Sequence, residues 1–552
     1  MRARAFLAGF LLASPFSVAF AAPVPPSGGN VIQELPQVPP PVKPIPEIKI
    51  ERGGVSGGAV TDHTKIAVRR LRITGALAYS TDKLIAVAGF RPGAFTLAEL
   101  RAMAERITSF YRKHGYFVAR AYIPAQEIHD DTITIAVVEG RYGQVSIQNG
   151  TNLSNHLAQQ LLGKVQSGES VEAAPLERGL LLLSDVPGVD VHSTLVPGAS
   201  VGASNLIVKV TPGPKVSGSM YADNEGNPYT GANRVGMNFN LNDPTGHGDV
   251  LSAQVLQSNG AQDYGRAAYQ TQVGAAKVGV AIADMGYQLG GAFSNLGANG
   301  TAKIKSIYGS YPLLRGREND LYAQLDYDDK QFEDLVNSTT SVSDRRAGVW
   351  MLNVNGDHRS PGGADTYSFT LTDGRLEIQP GATLATDAST ARTNGHYNKF
   401  SLSTTRAQAV TDTVSLYGAL HGQLATRNLD VSEKMELGGA DAVRAYPEGE
   451  AFGDEGYVLN LEVHKLMSWN GLPGQKQLIG FFDTGMVKLD KNPWAAGQNV
   501  RALSGFGIGL NWIGERNEYI VKTYYAHTLG AEVATSVPAG SSQFWIQAIR
   551  YF

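Results

Sequence analysis

Apolar and polar residues alternate with a period of two through the C-terminal part of the chain, from residue 216 to residue 552. Such a period indicates β-strands that bury one face and expose the other. The apolar faces persist over about ten residues, the length that a tilted strand needs to cross a bilayer. The pattern is clearest at residues 321–327, 414–424, 457–464 and 505–512. Because a soluble sandwich shows similar alternation, the pattern alone leaves a sandwich and a membrane barrel as alternatives.

Two further features favour the barrel. The final run, residues 544–552, ends at the aromatic Phe552, as the last strand of an outer-membrane barrel does. No stretch approaches the ~20 consecutive apolar residues of a spanning helix, and only helices and closed barrels satisfy every backbone group in lipid. Residues 214–552 have room for about 16 antiparallel strands, at ~21 residues for each strand and its connection. We therefore expect a membrane β-barrel.

The N-terminus has the pattern of an export signal. Arg2 and Arg4 precede a short apolar run, and a small-x-small cleavage site ends at Ala21. We expect a signal peptide over residues 1–21. The proline- and glycine-rich residues 22–65 are interpreted as a linker or a threaded segment rather than a core. The chain has no cysteine, which excludes disulfides and thiolate sites.

Two consecutive segments, residues 66–140 and 141–213, show the same predicted order of elements, β-α-α-β-β. In the first, Thr96 and Glu99 have the spacing of a capping box at the start of the longer helix, and Gly115 ends that helix. A repeated small α+β unit ahead of a barrel indicates an architecture of distinct parts.

Composition and motifs argue against several functional classes. The net charge of −3 and the pI near 6.4 give no basic footprint for nucleic acid. The chain has neither the H-E-x-x-H zinc motif nor the phosphate-binding G-x-x-x-x-G-K-[ST] motif. We therefore predict no enzyme, no cofactor and no metal site, and we interpret His421 and His464 as lumen residues rather than ligands.

Several short motifs occur together in the order that a known family shows. They lie at residues 111–116, 121–126, 137–140, 176–188, 223–226, 242–249, 438–447 and 481–485. Val443-Arg444-Ala445-Tyr446 resembles the VRGY loop motif of this family, although Ala445 stands where the family usually has glycine. Phe481-Phe482-Asp483-Thr484-Gly485 resembles its F-x-D-x-G strand motif. Together the motifs resemble the two-partner secretion outer-membrane transporters, the TpsB-type ShlB/FhaC/HecB family.

The resemblance implies a membrane β-barrel of about 16 antiparallel strands, preceded by two periplasmic α+β POTRA domains. The expected domains are POTRA domain 1 at 66–140, POTRA domain 2 at 141–213 and the barrel at 214–552, with a candidate plug helix in 22–65. The implied function is export of an unfolded TpsA-type exoprotein across the outer membrane, recognised through its N-terminal secretion domain. Its other partners would be outer-membrane lipids, and the transporter would work as a monomer. An outer-membrane assembly or insertase factor and a diffusion porin remain the alternatives.

The resemblance also implies site residues. Arg444, at the tip of a loop that folds into the lumen, would contact Asp483 on the barrel wall, with Val443, Tyr446 and Gly485 beside them. The pair could serve export or only rigidify the barrel. The POTRA motif residues, mostly structural and candidate client contacts, are Gly115, Tyr116, Tyr122, Pro124, Gln126, Glu139, Gly140, Leu176, Arg178, Pro187 and Gly188. The POTRA domains could add a strand from the client to a sheet edge, or could only position the barrel.

Overall fold

The computed structural model describes residues 25–36, 46–51, 64–469, 471–536 and 540–552. The predicted signal peptide, residues 1–21, lies outside these ranges, as do parts of the proline-rich segment. Within them, no helix is long and apolar enough to cross a membrane. The α-helices of the described residues are α1 (Gly28–Val31), α2 (Thr81–Ala88), α3 (Leu97–Lys113), α4 (Asn155–Leu162), α5 (Ala173–Ser184) and α6 (Ala382–Ser389).

Nine short strands precede the barrel in the described part of the chain. They are β1 (Ile48–Ile50), β2 (Ile66–Val68), β3 (Arg70–Thr74), β4 (Gly93–Phe95), β5 (Arg120–Tyr122), β6 (Thr132–Val138), β7 (Arg141–Asn149), β8 (Val189–Pro197) and β9 (Ala203–Pro212).

The first α+β unit packs α2 and α3 against the sheet β3-β6-β5. The predicted capping box is confirmed, because the Glu99 amide donates to the Thr96 hydroxyl at 3.3 Å and the Thr96 amide donates to the Glu99 carboxylate at 2.7 Å. The helix then buries Leu100, Met103 and Ile107 on the sheet. The small β2-β4 pair was not predicted from the sequence.

The second unit contains a strand that the sequence prediction did not place. Its sheet has the order β1-β8-β9-β7, and β1 comes from the proline-rich segment that was interpreted as a linker or threaded chain. β1 pairs in parallel with β8, with Ile48 opposite Ser193 and Ile50 opposite Leu195. Ile48 packs against the core of this unit. The alternation Ile-Lys-Ile is the signal in the sequence, but three residues are too few to predict a strand.

The strands from residue 216 onwards form a closed antiparallel barrel of 16 strands, so the predicted fold is confirmed. They are β10 (Val216–Asp223), β11 (Arg234–Asn242), β12 (Val250–Ser258), β13 (Asp263–Val273), β14 (Ala276–Gln288), β15 (Ala298–Arg315), β16 (Asn319–Val336), β17 (Ser341–Ser360), β18 (Gly363–Ile378), β19 (Gly395–Ala409), β20 (Val414–Ala425), then, after the hairpin β21 (Met435–Glu436) and β22 (Phe452–Gly453), β23 (Glu455–Leu466), β24 (Gln475–Lys488), β25 (Val500–Ile513), β26 (Tyr519–Thr528) and β27 (Ser542–Tyr551). β10 pairs with β27 to close the cylinder.

The barrel wall is uneven in height. Strands β10 to β12 have 8 or 9 residues, close to the predicted length, whereas β15 to β18 have 16 to 20. On the outer face of the tall strands, Tyr327 packs on Trp350 with ring centroids 4.8 Å apart. One step further along, the outward Asp329 and Arg346 form an ion pair. Charged side chains on the outer face are unfavourable in lipid, so this part of the tall strands projects beyond the membrane.

The second α+β unit docks against one end of the barrel. Arg315, at the end of β15, donates to both oxygens of Asp185 at 2.7 and 2.8 Å and also contacts Asp320 at 2.9 Å. A second contact joins the Ser154 amide to the carbonyl of Gly246, in the turn between β11 and β12. These contacts fix the unit beneath strands β11 to β16.

Candidate functional site

The connection between β20 and β23, residues 426–454, folds back into the barrel and is called the luminal loop. It begins with a 3-10 turn at Val431–Glu433 and continues through the hairpin of β21 and β22. Its tip, residues 437–447, is closed by backbone hydrogen bonds from the Val443 amide to the Leu437 carbonyl and from the Tyr446 amide to the Val443 carbonyl. Val443 and Tyr446 have no exposed surface. The tip is therefore a packed element rather than a mobile connection.

Arg444 at the tip makes a two-point contact with Asp483 on β24. Its Nε donates to Asp483 Oδ2 at 2.8 Å and its Nη2 to Oδ1 at 2.7 Å. The Arg444 backbone amide donates to the same carboxylate at 3.1 Å. The two side chains are 5% and 0% exposed, so the pair is shielded from bulk water. A planar guanidinium matches a carboxylate in this geometry, whereas an ammonium does not.

Four further residues complete this cluster, and sequence reasoning did not assign them to it. Glu462 accepts from Arg444 Nη1 at 2.7 Å, and Asn460 donates to Asp483 Oδ1 at 2.8 Å. The Phe481 ring lies 3.6 Å from the guanidinium carbon, and Trp545 Nε1 donates to the Arg444 carbonyl at 2.7 Å. Alternation placed Asn460 and Glu462 on the polar face of β23. Only closure of the barrel brings that face and β27 to the loop tip.

Small residues make room for the tip. A Cβ on Gly485 would lie 2.7 Å from Leu437 Cδ1, so glycine lets the loop approach the wall. A Cβ on Gly505 would lie 2.3 Å from the Ala445 methyl. Ala445 is not among the described residues with positive φ, so the departure from the family motif causes no backbone strain.

The base of the loop is held by a second set of ion pairs. Glu433 contacts Lys330 at 2.8 Å and Lys399 at 2.9 Å, and Asp430 contacts Arg345 at 2.6 Å. Breaking one buried pair costs ~3–5 kcal/mol when its partner stays buried. Anchored at both tip and base, the loop is expected to stay in the lumen at rest.

The N-terminal segment, residues 25–36, also lies in the lumen. The Gly28 amide donates to Asp334 at 2.9 Å, Gln33 Nε2 donates to the Val431 carbonyl at 3.1 Å, and Arg234 donates to the Glu34 carbonyl at 2.7 Å. A Cβ on Gly29 would lie 2.8 Å from Ser432 Cβ, so the segment touches the base of the luminal loop. Its regular part, α1, is a single helical turn.

Several POTRA motif residues of the first unit have structural partners. Glu139 accepts from the amides of Leu77 and Ala78, both at 2.7 Å, and from the Tyr111 hydroxyl at 2.8 Å. Burial and this carboxylate raise the pKa of Tyr111, which therefore remains a donor. Gln126 pairs with the backbone amide and carbonyl of Thr134, both at 2.8 Å, as a strand would.

The remaining motif residues of this unit lie at turns or at the edge strand. Gly115 and Gly140 have positive φ, and the carbonyl of Gly115 accepts from the Ala173 amide of the second unit at 2.9 Å. Tyr116 stacks edge-on against Tyr111. Pro124 is half-buried beyond β5, and Tyr122 on β5 is 37% exposed. Tyr122 is the most exposed aromatic residue of the motif set.

The motif residues of the second unit connect it to the barrel. Leu176 is fully buried in its core. Arg178 donates to the Pro312 carbonyl of β15 at 2.9 Å. Gly188, which follows Pro187, has positive φ and lies against Asn242 at the end of β11. In the described residues, no group of three or more His, Asp or Glu side chains could hold a metal ion.

A closed 16-stranded barrel, with α+β units at one end and a loop clamped in its lumen, defines a membrane barrel of the POTRA class. The chain belongs to the family described as "Haemolysin secretion/activation protein ShlB/FhaC/HecB", whose model matches residues 202–512. The model described as "POTRA domain, ShlB-type" matches residues 66–140.

Curated relatives and a solved structure agree with this family. The heme/hemopexin transporter protein HuxB of Haemophilus influenzae strain 86-028NP is 28% identical over 468 residues, 83% of this chain and 81% of the relative. The outer membrane transporter CdiB of Dickeya dadantii is 22% identical, over 68% of each chain. The fold matches the structure of CdiB from Escherichia coli with a TM-score of 0.71 at 19% identity, over 91% of this chain and 93% of that one.

The chain is thus an outer-membrane translocator of the two-partner secretion type, with its POTRA units in the periplasm. Transporters of this kind export a partner protein of TpsA type, and the family consists of transporters rather than enzymes.

Proposed function

We propose that the chain captures an unfolded exoprotein by adding a strand of that client to β8 of the second POTRA domain, then passes it through the lumen to the cell surface. The observation that supports this mode is β1, a segment of the chain itself that already lies along the β8 edge as an added strand. Strand addition relies on main-chain hydrogen bonds and therefore tolerates many client sequences.

The two POTRA sheets do not offer equal edges. At β5 the Ala121 amide donates to the Thr108 hydroxyl of α3 at 2.9 Å, and Thr108 is 1% exposed. A client at β5 would have to displace a packed helix. At β8 it would displace only the three residues of β1. We therefore assign capture to β8, with the exposed Tyr122 as a candidate second contact.

In this proposal the Arg444–Asp483 contact holds the luminal loop in the position that export requires. The lumen, the loop and the N-terminal segment all belong to one chain, which supports function as a monomer. Lipids contact the outward apolar belt, for example Val255, Ile282 and Leu352.

Ser193→Pro tests the capture step. The Leu195 carbonyl accepts from the Glu51 amide at 2.9 Å, so residues 193 and 195 direct their backbone groups towards β1. Proline at 193 removes one edge donor and leaves the pairing with β9 through residues 194 and 196. We expect client binding by the purified transporter to fall at least tenfold. The barrel should still assemble, which is checked by its heat-modifiable migration in a mild detergent gel.

Ser200→Pro, in the exposed turn between β8 and β9, is the matched control and should bind the client normally. Unchanged binding and export by Ser193→Pro would exclude β8 as the capture edge.

A further inference from the structure

The lumen is divided into two unlike halves. The luminal loop fills the half bounded by β23 to β26, where Leu437, Val443 and Tyr446 pack against Ile479 and Leu503. The half bounded by β10 to β16 contains a cavity of about 540 Å³, and the N-terminal segment lines it through Ile32, Leu35 and Pro36. Open space in the resting lumen is therefore beside the shortest strands.

The wall of this cavity on β10 to β12 presents a row of small uncharged polar side chains, here called the polar track. It consists of Ser217, Ser219, Asn238, Asn240, Ser252 and Gln254. Several of them are bonded to a neighbour across the strands. Asn238 donates to Ser219 Oγ at 3.2 Å, and the Ser252 hydroxyl donates to Asn240 Oδ1 at 2.8 Å. The track is thus an ordered surface of hydroxyl and carboxamide groups.

The luminal-loop half has a different chemistry. Its lumen-facing groups include Arg444, Glu462 and Asp483, which form short ion pairs. Among the residues that the structure describes, the lining of the cavity contains two charged ones, Arg266 and Asp328. A moving polypeptide presents amide donors and carbonyl acceptors along its whole length, and each neutral hydrogen bond contributes only ~0.5–1.5 kcal/mol. Neutral groups on the wall can therefore form and break such bonds with a polypeptide of any sequence. Charged groups on the wall would retain oppositely charged segments of the polypeptide and repel segments of like charge.

The N-terminal segment shows that this half accommodates polypeptide. Its hydrogen bonds to the rest of the lumen come from one backbone amide, two side-chain amides and Arg234. The luminal loop, by contrast, is held by buried ion pairs at tip and base. Displacing the segment is the smaller step, and it empties the space in front of the polar track.

We propose that the polar track on β10 to β12 is the surface along which the exported polypeptide slides, in the space that residues 32–36 occupy at rest. This rests on the proposed function, in which the client crosses the lumen. It assigns the route to one wall of the barrel and the ligand class to extended polypeptide of any sequence.

Disulfide trapping tests the route, because the parental chain has no cysteine of its own. Single cysteines replace Ser219, Asn240 and Ser252 on the track. Matched cysteines replace Ser401 and Ser403 on β19, which lies on the far side of the barrel. The client is the protein that disappears from the medium when this chain is deleted, carrying one cysteine in its middle. Cells exporting it are oxidised, and transporter–client adducts are quantified.

We expect adducts at the track positions to exceed those at the β19 positions at least fivefold. Equal or greater adducts at β19, or none at either set while export continues, would overturn the proposal. If no protein disappears from the medium on deletion, the proposed function fails instead, and the two failures are therefore distinguishable.

A blocking variant gives an independent result. Ser252→Trp directs an indole into the cavity and should reduce export at least tenfold, whereas Ser401→Trp should reduce it less than twofold. Both variants are normalised to heat-modifiable, assembled barrel. Loss of export by Ser401→Trp alone would place the route on the other wall.

Discussion

Arg444 is the residue on which the luminal loop converges, and it has more than one anionic partner. Its guanidinium contacts Asp483 and Glu462 and lies on the Phe481 ring, while its carbonyl accepts from Trp545. Removing the cation would leave two shielded carboxylates near each other, with His464 as the remaining partner of Glu462 and no cationic partner for Asp483. The tip is consequently sensitive to the shape of the cation as well as to its charge.

We expect Arg444→Ala to reduce secreted client per assembled transporter by at least tenfold. The unpaired carboxylates destabilise the docked loop by up to ~3–5 kcal/mol, less whatever lumen water restores. Arg444→Lys should also be impaired, because one ammonium cannot contact both oxygens of Asp483 and also Glu462. Secretion assays and conductance in planar bilayers measure the effects.

A charge swap tests whether Glu462 is part of the site, and Arg346→Ala is the matched control. Arg444→Asp combined with Asp483→Arg places the new carboxylate opposite Glu462, so we expect no recovery of export. Arg346→Ala, which removes an exposed ion pair with Asp329 outside the lumen, should secrete normally. Parental secretion by both Arg444 variants would show that the contact is only architectural.

The contact between Ala445 and Gly505 predicts a compensating pair. Gly505→Ala places a methyl 2.3 Å from the Ala445 methyl and should displace the loop tip, raising channel conductance. Ala445→Gly alone should change conductance little, because it removes one methyl group from the buried tip and adds no steric contact. Adding Ala445→Gly to Gly505→Ala should return conductance towards the parental level. If the double variant conducts as much as Gly505→Ala, steric contact is not the cause.

At the scale of elements, β1 is a strand whose displacement exposes another strand. It holds three residues against β8, with a hydrogen bond from the Glu51 amide and packing of Ile48. So short a strand contributes few hydrogen bonds, each worth ~0.5–1.5 kcal/mol. It can therefore be exchanged for a longer client strand.

Replacing residues 46–51 with glycine and serine at unchanged length should strengthen client binding by the purified transporter about tenfold. No β1 strand then has to be displaced before a client pairs with β8. Lys49→Ala is the matched control, because its side chain is 69% exposed and its backbone pairing remains. If the transporter with the replaced segment binds the client no more tightly than the parental transporter, β1 does not compete with the client. Isothermal titration calorimetry measures client binding by both variants.

Elements that depend on local sequence were predictable, and those created by closure of the fold were not. Thr96 and Glu99 define the start of α3 through their own side chains. The alternation of apolar and polar residues indicated the barrel strands. β1 was missed because its partner β8 is some 145 residues away in sequence, as Ile48 opposite Ser193 shows. Arg444 and Asp483 came from a family resemblance. Trp545 could not be linked to the loop, because no local pattern records which strand a closed barrel brings alongside.

At the scale of the whole molecule, Arg315 joins the second POTRA domain to the barrel. Its side chain is 14% exposed and bridges Asp185 of that domain and Asp320 of β16. A bidentate charged contact of this kind defines orientation as well as proximity. The POTRA edge at β8 is thereby held at a fixed place beneath the barrel.

Arg315→Ala should loosen this orientation while the barrel stays folded. Spin labels placed on single cysteines in the second POTRA domain and in the turn after β15 should show a broader distance distribution. We expect client export to fall by about threefold to tenfold, because capture is no longer aligned with the lumen. Arg375→Ala, which removes an exposed ion pair with Glu377, should leave the distribution unchanged. An unaltered distribution in Arg315→Ala would show that other contacts suffice.

The position of residues 25–36 also fixes a sequence of events during biogenesis. The Gly28 amide forms a hydrogen bond with Asp334, 306 positions later in the sequence. Gln33 forms one with Val431, 398 positions later. Their receptor surface does not exist until β16 and the luminal loop have formed, so the first described part of the chain can bind there only after those elements. We therefore expect a newly assembled barrel to pass through a period without its N-terminal segment, when ions can cross. A conductance that decays after insertion would time that period directly, and its length would set how many unfinished transporters a cell can tolerate in its outer membrane.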